Sequence, residues 1–129
     1  LPSNPVIKDG ESVFAQVGCA ACHIPSLRTG LSPIPALSNQ SVNLYSDLLL
    51  HDMGALADGI AQPPASGKEM RTSPLWGLRL RSLYLHDGRA STLDMAIMAH
   101  DGEAKIVRDR YAKLPLARRQ ALVAFLNSL

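Results

Sequence analysis

The stretch Cys19-Ala20-Ala21-Cys22-His23 constrains this chain more than any other. Two thiols sit three positions apart and an imidazole follows the second, the spacing that attaches a c-type haem. On a short helical turn both sulfurs reach the two vinyl-derived carbons at one porphyrin edge. His23 is then carried beneath the ring, where a neutral imidazole nitrogen can bind iron. Two other chemistries use similar residues. A redox dithiol sits in a βαβ setting, which the flanking sequence does not offer. Tetrahedral zinc needs further ligands at a second CxxC or HxxxH spacing, and none exists here. The expected cofactor is one covalent haem c on Cys19 and Cys22, with His23 as the proximal axial ligand.

Composition fits a chain that folds around a flat apolar group. Its 129 residues are enough for one domain, read here as a single c-type cytochrome domain over 1–129. Apolar residues make up 47% but aromatic ones only 5%, so a macrocycle would supply flat bulk that the side chains lack. A formal charge of +2, with no basic run interleaved with aromatics, argues against nucleic acid. No run of about 18 apolar residues is present, so no membrane span is expected. Both cysteines belong to the motif, which leaves none for a disulfide. The chain has neither an initiator Met nor a signal peptide and reads as a mature or excised form. Haem is attached to CxxCH on the exported side of a membrane, so the expected location is periplasmic.

Taken in order, residues 1–8, with Pro2 and Pro5, read as an extended lead-in. Asp9 is a plausible N-cap for a helix over 10–21, with Glu11 in its first turn. Gly10 and Phe14 share a face, and a small residue beside an aromatic lets another helix cross closely. Residues 24–41, with Pro25, Gly30, Pro33 and Pro35, read as loop, as do 58–70. Val42–Leu50 is too short to classify by period. Ser73-Pro74 suggests the cap and first residue of a short helix to Leu78. His86-Asp87-Gly88 is a turn, with His86 and Asp87 fixing it or reaching a propionate. Ser91-Thr92-Leu93-Asp94 starts a helix to about His100, Gly102 stops it, and a charged helix follows over 103–113. Pro115 opens a last helix whose stripe of Ala121, Leu122, Phe125, Leu126 and Leu129 is expected to cross the first near Gly10 and Phe14. Arg118-Arg119 read as a tolerated surface pair or a docking patch. The fold class is all-α and loop-rich, a cytochrome c-like fold around one haem.

Candidates for the second axial ligand are His51, His86, His100, Met53, Met70, Met95 and Met98. Helical phase places His100 with Leu93, Ala96 and Ile97, facing the core, and Met98 with Ser91 and Asp94 on a more polar face. Of His51 and Met53, at most one can face the iron. Phase alone gives His100 a modest lead, with His51 and then Met53 in reserve.

A resemblance adds to this. The stretches Gly10 to Pro25, Tyr45-Ser46-Asp47-Leu48-Leu49-Leu50-His51-Asp52-Met53-Gly54, Arg71-Thr72-Ser73-Pro74-Leu75-Trp76-Gly77-Leu78 and His86 to Leu93 occur in order. With Ala99-His100-Asp101-Gly102-Glu103-Ala104 they resemble a bacterial di-haem family often labelled thiol oxidoreductase, related to di-haem cytochrome c peroxidases and MauG-type enzymes. The chain is similar to the C-terminal haem domain of that superfamily. The resemblance implies that the sixth iron ligand follows the His-Asp-Gly turn and the next short helix, which places it at His100. Relatives carry Met or Tyr there, and this sequence departs with His. Arg71 and Trp76, in a family-like stretch, come first as propionate or haem-wall partners, then Arg79, Arg81 and Arg89.

The expected function is electron transfer by a six-coordinate, bis-His haem. The alternative is the electron-relay part of a di-haem peroxidase-like or MauG-like oxidoreductase whose reactive haem lies elsewhere, since one CxxCH is present. A third reading is a haem-based sensor or interaction domain. Catalysis by this chain alone is not expected. Its partner would be a redox protein or a second haem domain.

Overall fold

The computed structural model describes residues 4–129. Its frame is a pair of crossing helices, α1 (Pro5–Val17) and α4 (Leu116–Leu126). The first helix starts earlier than the sequence reading placed it. Asn4, not Asp9, is the N-cap: its side-chain oxygen accepts from the Val6 N–H at 2.9 Å, and Pro5 fills the first turn, where no N–H is needed. Of the expected extended lead-in, Pro2 lies outside the described residues. Gly18 ends α1 at φ 109°, a left-handed cap whose N–H returns to the Phe14 carbonyl.

Gly10, Val13, Phe14 and Val17 form the buried face of α1, and Ala121, Leu122, Phe125 and Leu126 that of α4. The expected crossing is present. A Cβ on Gly10 would lie 2.0 Å from the Ala121 carbonyl oxygen, so only glycine allows this approach. Phe14, Tyr45 and Phe125 pack edge to face, with centroids 5.4 to 5.9 Å apart. Each large apolar side chain buried here contributes roughly 1.5–3 kcal/mol. Arg118 is engaged within the chain: it pairs with Asp9 at 2.5 Å and donates to the Gln16 side chain at 2.8 Å, tying α4 to α1. Arg119 covers the Tyr111 ring and bonds the Ala112 carbonyl.

Two small antiparallel sheets depart from the all-α expectation, in a chain that is otherwise predominantly helical. Strands β1 (Leu27–Arg28) and β2 (Ser41–Val42) pair first, then β3 (Leu50–Asp52) and β4 (Glu69–Arg71). Pieces of two or three residues carry no readable period, and their partners are distant in sequence. The helix expected at Ser73-Pro74 does not form. Gly77 takes φ 72°, and a single 3-10 turn at Leu78–Leu80 follows.

Helix α2 (Leu93–Met98) is capped by Thr92 rather than Ser91, the Thr92 hydroxyl accepting from the Met95 N–H at 3.1 Å. Asp94 is left free to accept from the buried Tyr111 hydroxyl at 2.6 Å. Gly102, at φ 57°, turns the chain into helix α3 (Lys105–Ala112). Pro115 is the residue before α4 rather than its first. Among the described residues, no helix is long and apolar enough to cross a membrane.

Candidate functional site

The pentapeptide lies directly after the Gly18 cap. Cys19–Ala21 make one 3-10 turn, and both the Cys22 and His23 N–H groups return to the Cys19 carbonyl, the latter at 2.9 Å. Both thiols are free. Burial pushes the Cys19 thiol up to about 11 and raises that of Cys22, where Asp47 and Glu103 add to it. Such thiols stay protonated at neutral pH, the opposite of the activated thiolate that dithiol exchange uses.

The segment 45–47 runs alongside the motif. Tyr45, Ser46 and Asp47 donate their N–H groups to the carbonyls of Pro25 (3.3 Å), Ile24 (3.0 Å) and Cys22 (2.8 Å). Tyr45 sits at φ 52°, and its carbonyl accepts the His23 Nδ1 proton at 2.9 Å. A carbonyl cannot donate, so the proton is on Nδ1 and the Nε2 lone pair is free. Burial holds His23 below the usual histidine range against the opposing Tyr45 bond, and the nearby His100 lowers it further. Ser46 is fully buried, and its hydroxyl fastens the segment to the Thr72 carbonyl at 2.7 Å.

His100 is built the same way. It lies just beyond α2, and its Nδ1–H donates to the Ala96 carbonyl at 2.8 Å, which leaves Nε2 free. Burial lowers its pKa, against the bond to Ala96. The face predicted for it is the buried one, since Leu93 and Ala96 are core while Met95 and Met98 are exposed.

His51 is different. Its Nε2 bonds Asp47 and its Nδ1 bonds Glu103, both at 2.8 Å, so neither nitrogen is left for a metal. Glu103 first, then Asp47, raises its pKa, and a carboxylate oxygen at each nitrogen makes both ring nitrogens donors, as in the imidazolium. Burial opposes ionisation of Asp47, but bonds from the Leu49 N–H, His51 and Thr72 outweigh it and hold that carboxyl low. Cys22, Asp47 and His51 offer ligand atoms within 4.8 Å of one another, but the His51 nitrogens are already engaged. Met53 is half-buried at the start of a 3-10 turn.

The remaining candidates lie at the surface. Arg71, Arg79 and Arg81 are exposed and form no ion pair among the described residues, and Trp76 is 50% exposed. His86 is exposed, and the Asp87–Arg89 pair at 2.6 Å fixes its turn. Sequence reasoning missed the Tyr45 carbonyl, Ser46, Thr72 and Glu103. All four sit in family-like stretches, but the roles of the first three cannot be read from residue type, because the groups at work are carbonyls and one small hydroxyl.

Two free thiols and two imidazoles, each with an unengaged Nε2, form a donor set that suits a haem. Leu48, Leu49, Leu50, Leu80 and Leu83 are exposed apolar side chains. Searches of curated proteins and of solved structures returned no match. A family model described as "Di-haem oxidoreductase, putative peroxidase" matches residues 2–129, nearly the whole chain and all the elements above. The chain belongs to the di-haem oxidoreductase family.

Proposed function

We propose that this chain is a single c-type cytochrome domain that transfers electrons through one haem, attached at Cys19 and Cys22 and ligated by His23 and His100. The observation that carries this is the matched pair of imidazoles: each gives its Nδ1 proton to a backbone carbonyl and keeps Nε2 for iron. Haem supplies one-electron exchange between ferrous and ferric iron. Tyr45 and Ala96 hold the two rings in one tautomer and orientation, and burial keeps both neutral. His23 and His100 would both hold the iron, which would leave peroxide no ready place to bind, and two imidazoles would favour its ferric state more than a thioether would. Arg71, Trp76 and Arg79 are free to meet propionates. A periplasmic location is supported by the CxxCH motif, since haem is attached to such motifs on the exported side of a membrane.

A second reading is favoured by one observation. The family is di-haem, yet the sequence has a single CxxCH. On this reading the chain is the electron-relay part of a peroxidase-like or MauG-like pair, and its partner carries the reactive haem.

The ferric protein is expected to show a low-spin bis-His spectrum without the far-red band of Met ligation. A Met-type band would overturn the His100 assignment. Rapid formation of a high-valent species on adding peroxide to the reduced protein would overturn the pure carrier reading.

A further inference from the structure

We propose that Glu103, acting through His51, is a positioning residue that holds His100 at the iron. The inference rests on His100 being an axial ligand.

His100 needs such support. It follows a helix of only six residues, and a glycine in the left-handed region comes two positions later. Local helical structure therefore fixes the ring's Nδ1 but not the bend that carries it. The bend is held instead by the segment 51–55. Glu103 accepts from the Asp52 N–H through Oε1 at 2.9 Å and from His51 Nδ1 through Oε2 at 2.8 Å. Asp101 accepts from the Ala55 N–H at 3.1 Å. Between these bonds the two backbones cross with no room for a side chain. A Cβ on Gly102 would lie 2.2 Å from the Asp52 carbonyl oxygen, and one on Gly54 would lie 2.6 Å from an Asp101 carboxylate oxygen.

The bonds continue past His51. Its Nε2 holds Asp47, and the Asp47 N–H holds the Cys22 carbonyl, both at 2.8 Å. One hydrogen-bonded line thus runs from Cys22, beside His23, through Asp47 and His51 to Glu103, beside the His100 bend. It sets the spacing of the two ligand segments. Glu103 is the link that joins the halves, and its side chain is 56% exposed, so its removal opens no core cavity.

The test uses the haem-loaded protein and follows cyanide binding to the ferric form, which requires an axial imidazole to leave. Losing a charge-assisted bond of this kind corresponds to about a tenfold change in an equilibrium. Glu103→Ala is expected to bind cyanide about tenfold faster and to show more high-spin haem at rest. Glu103→Gln keeps one acceptor and should fall between that variant and the parent. Glu11→Ala, which removes an exposed α1 carboxylate with no hydrogen-bond partner among the described residues, should match the parent. If Glu103→Ala does not load haem, Glu103→Gln decides alone. Parent-like cyanide rates in the Glu103 variants overturn the inference. A parent spectrum without bis-His ligation overturns the functional reading beneath it, whatever the variants do.

Discussion

An iron-binding histidine needs one nitrogen free and the other tied, and the tie sets how firmly the ring is held. His23 and His100 meet that condition with a carbonyl each, whereas His51 spends both nitrogens on carboxylates. His100→Met is expected to keep a six-coordinate haem and raise its potential, because thioether sulfur favours ferrous iron; a potentiometric titration checks this. His51 brings a pH dependence of its own. Its folded pKa is raised, so its contribution to stability is complete below the unfolded value of about 6.5 and is lost as pH rises through the folded pKa. Asp47 has a lowered pKa, so its share is present above about 3.9 and is lost as pH falls through the folded value. The Tm difference between parent and His51→Gln should therefore be largest from about pH 4 to 6.5 and shrink at higher pH. A difference that grows above pH 8 would contradict the imidazolium.

Among the elements, the α1–α4 crossing is the one a single methyl group should break. Gly10→Ala places a carbon on the Ala121 carbonyl, and overpacking of this kind costs roughly 1–3 kcal/mol. Phe14→Ala removes a ring packed on two others and should cost about 3–5 kcal/mol. Denaturant unfolding measures both. This crossing was legible in the sequence because Gly10, Phe14 and the Ala121–Leu126 stripe repeat at helical spacing. His100's place on the buried face was legible for the same reason. The start of α1 was not, since Asn4-Pro5 can open a helix or an extended run with equal local sense. The sheets were hidden because their stability comes from distant pairing, as between His51 and Met70. Glu103 read as one charge among many on a polar helix, because what distinguishes it is the backbone it meets 51 positions earlier.

At the scale of the whole molecule, apolar burial is divided unequally. The helical frame is packed on itself, whereas residues 42–56 and 69–83 keep Leu48, Leu49, Leu50, Trp76, Leu80 and Leu83 exposed, Leu80 at 80%. A cofactor covering some of these would stabilise the loops by removing apolar surface from water. The double variant Cys19→Ala/Cys22→Ala, which cannot attach haem, should keep slow hydrogen exchange in α1 and α4 and exchange fast across those loops. Equal protection in both regions would show that the loops order themselves. Tyr45 bridges the two regions: its ring rests on Phe14 and Phe125 while its carbonyl holds His23. An iron held by His23 would thereby be wired to the helix crossing as a strain gauge. With haem in place, a core substitution that lets the helices slip would tilt that ring, slacken the imidazole behind it and register at an electrode, so a library of packing variants could be ranked by voltage without unfolding any of them.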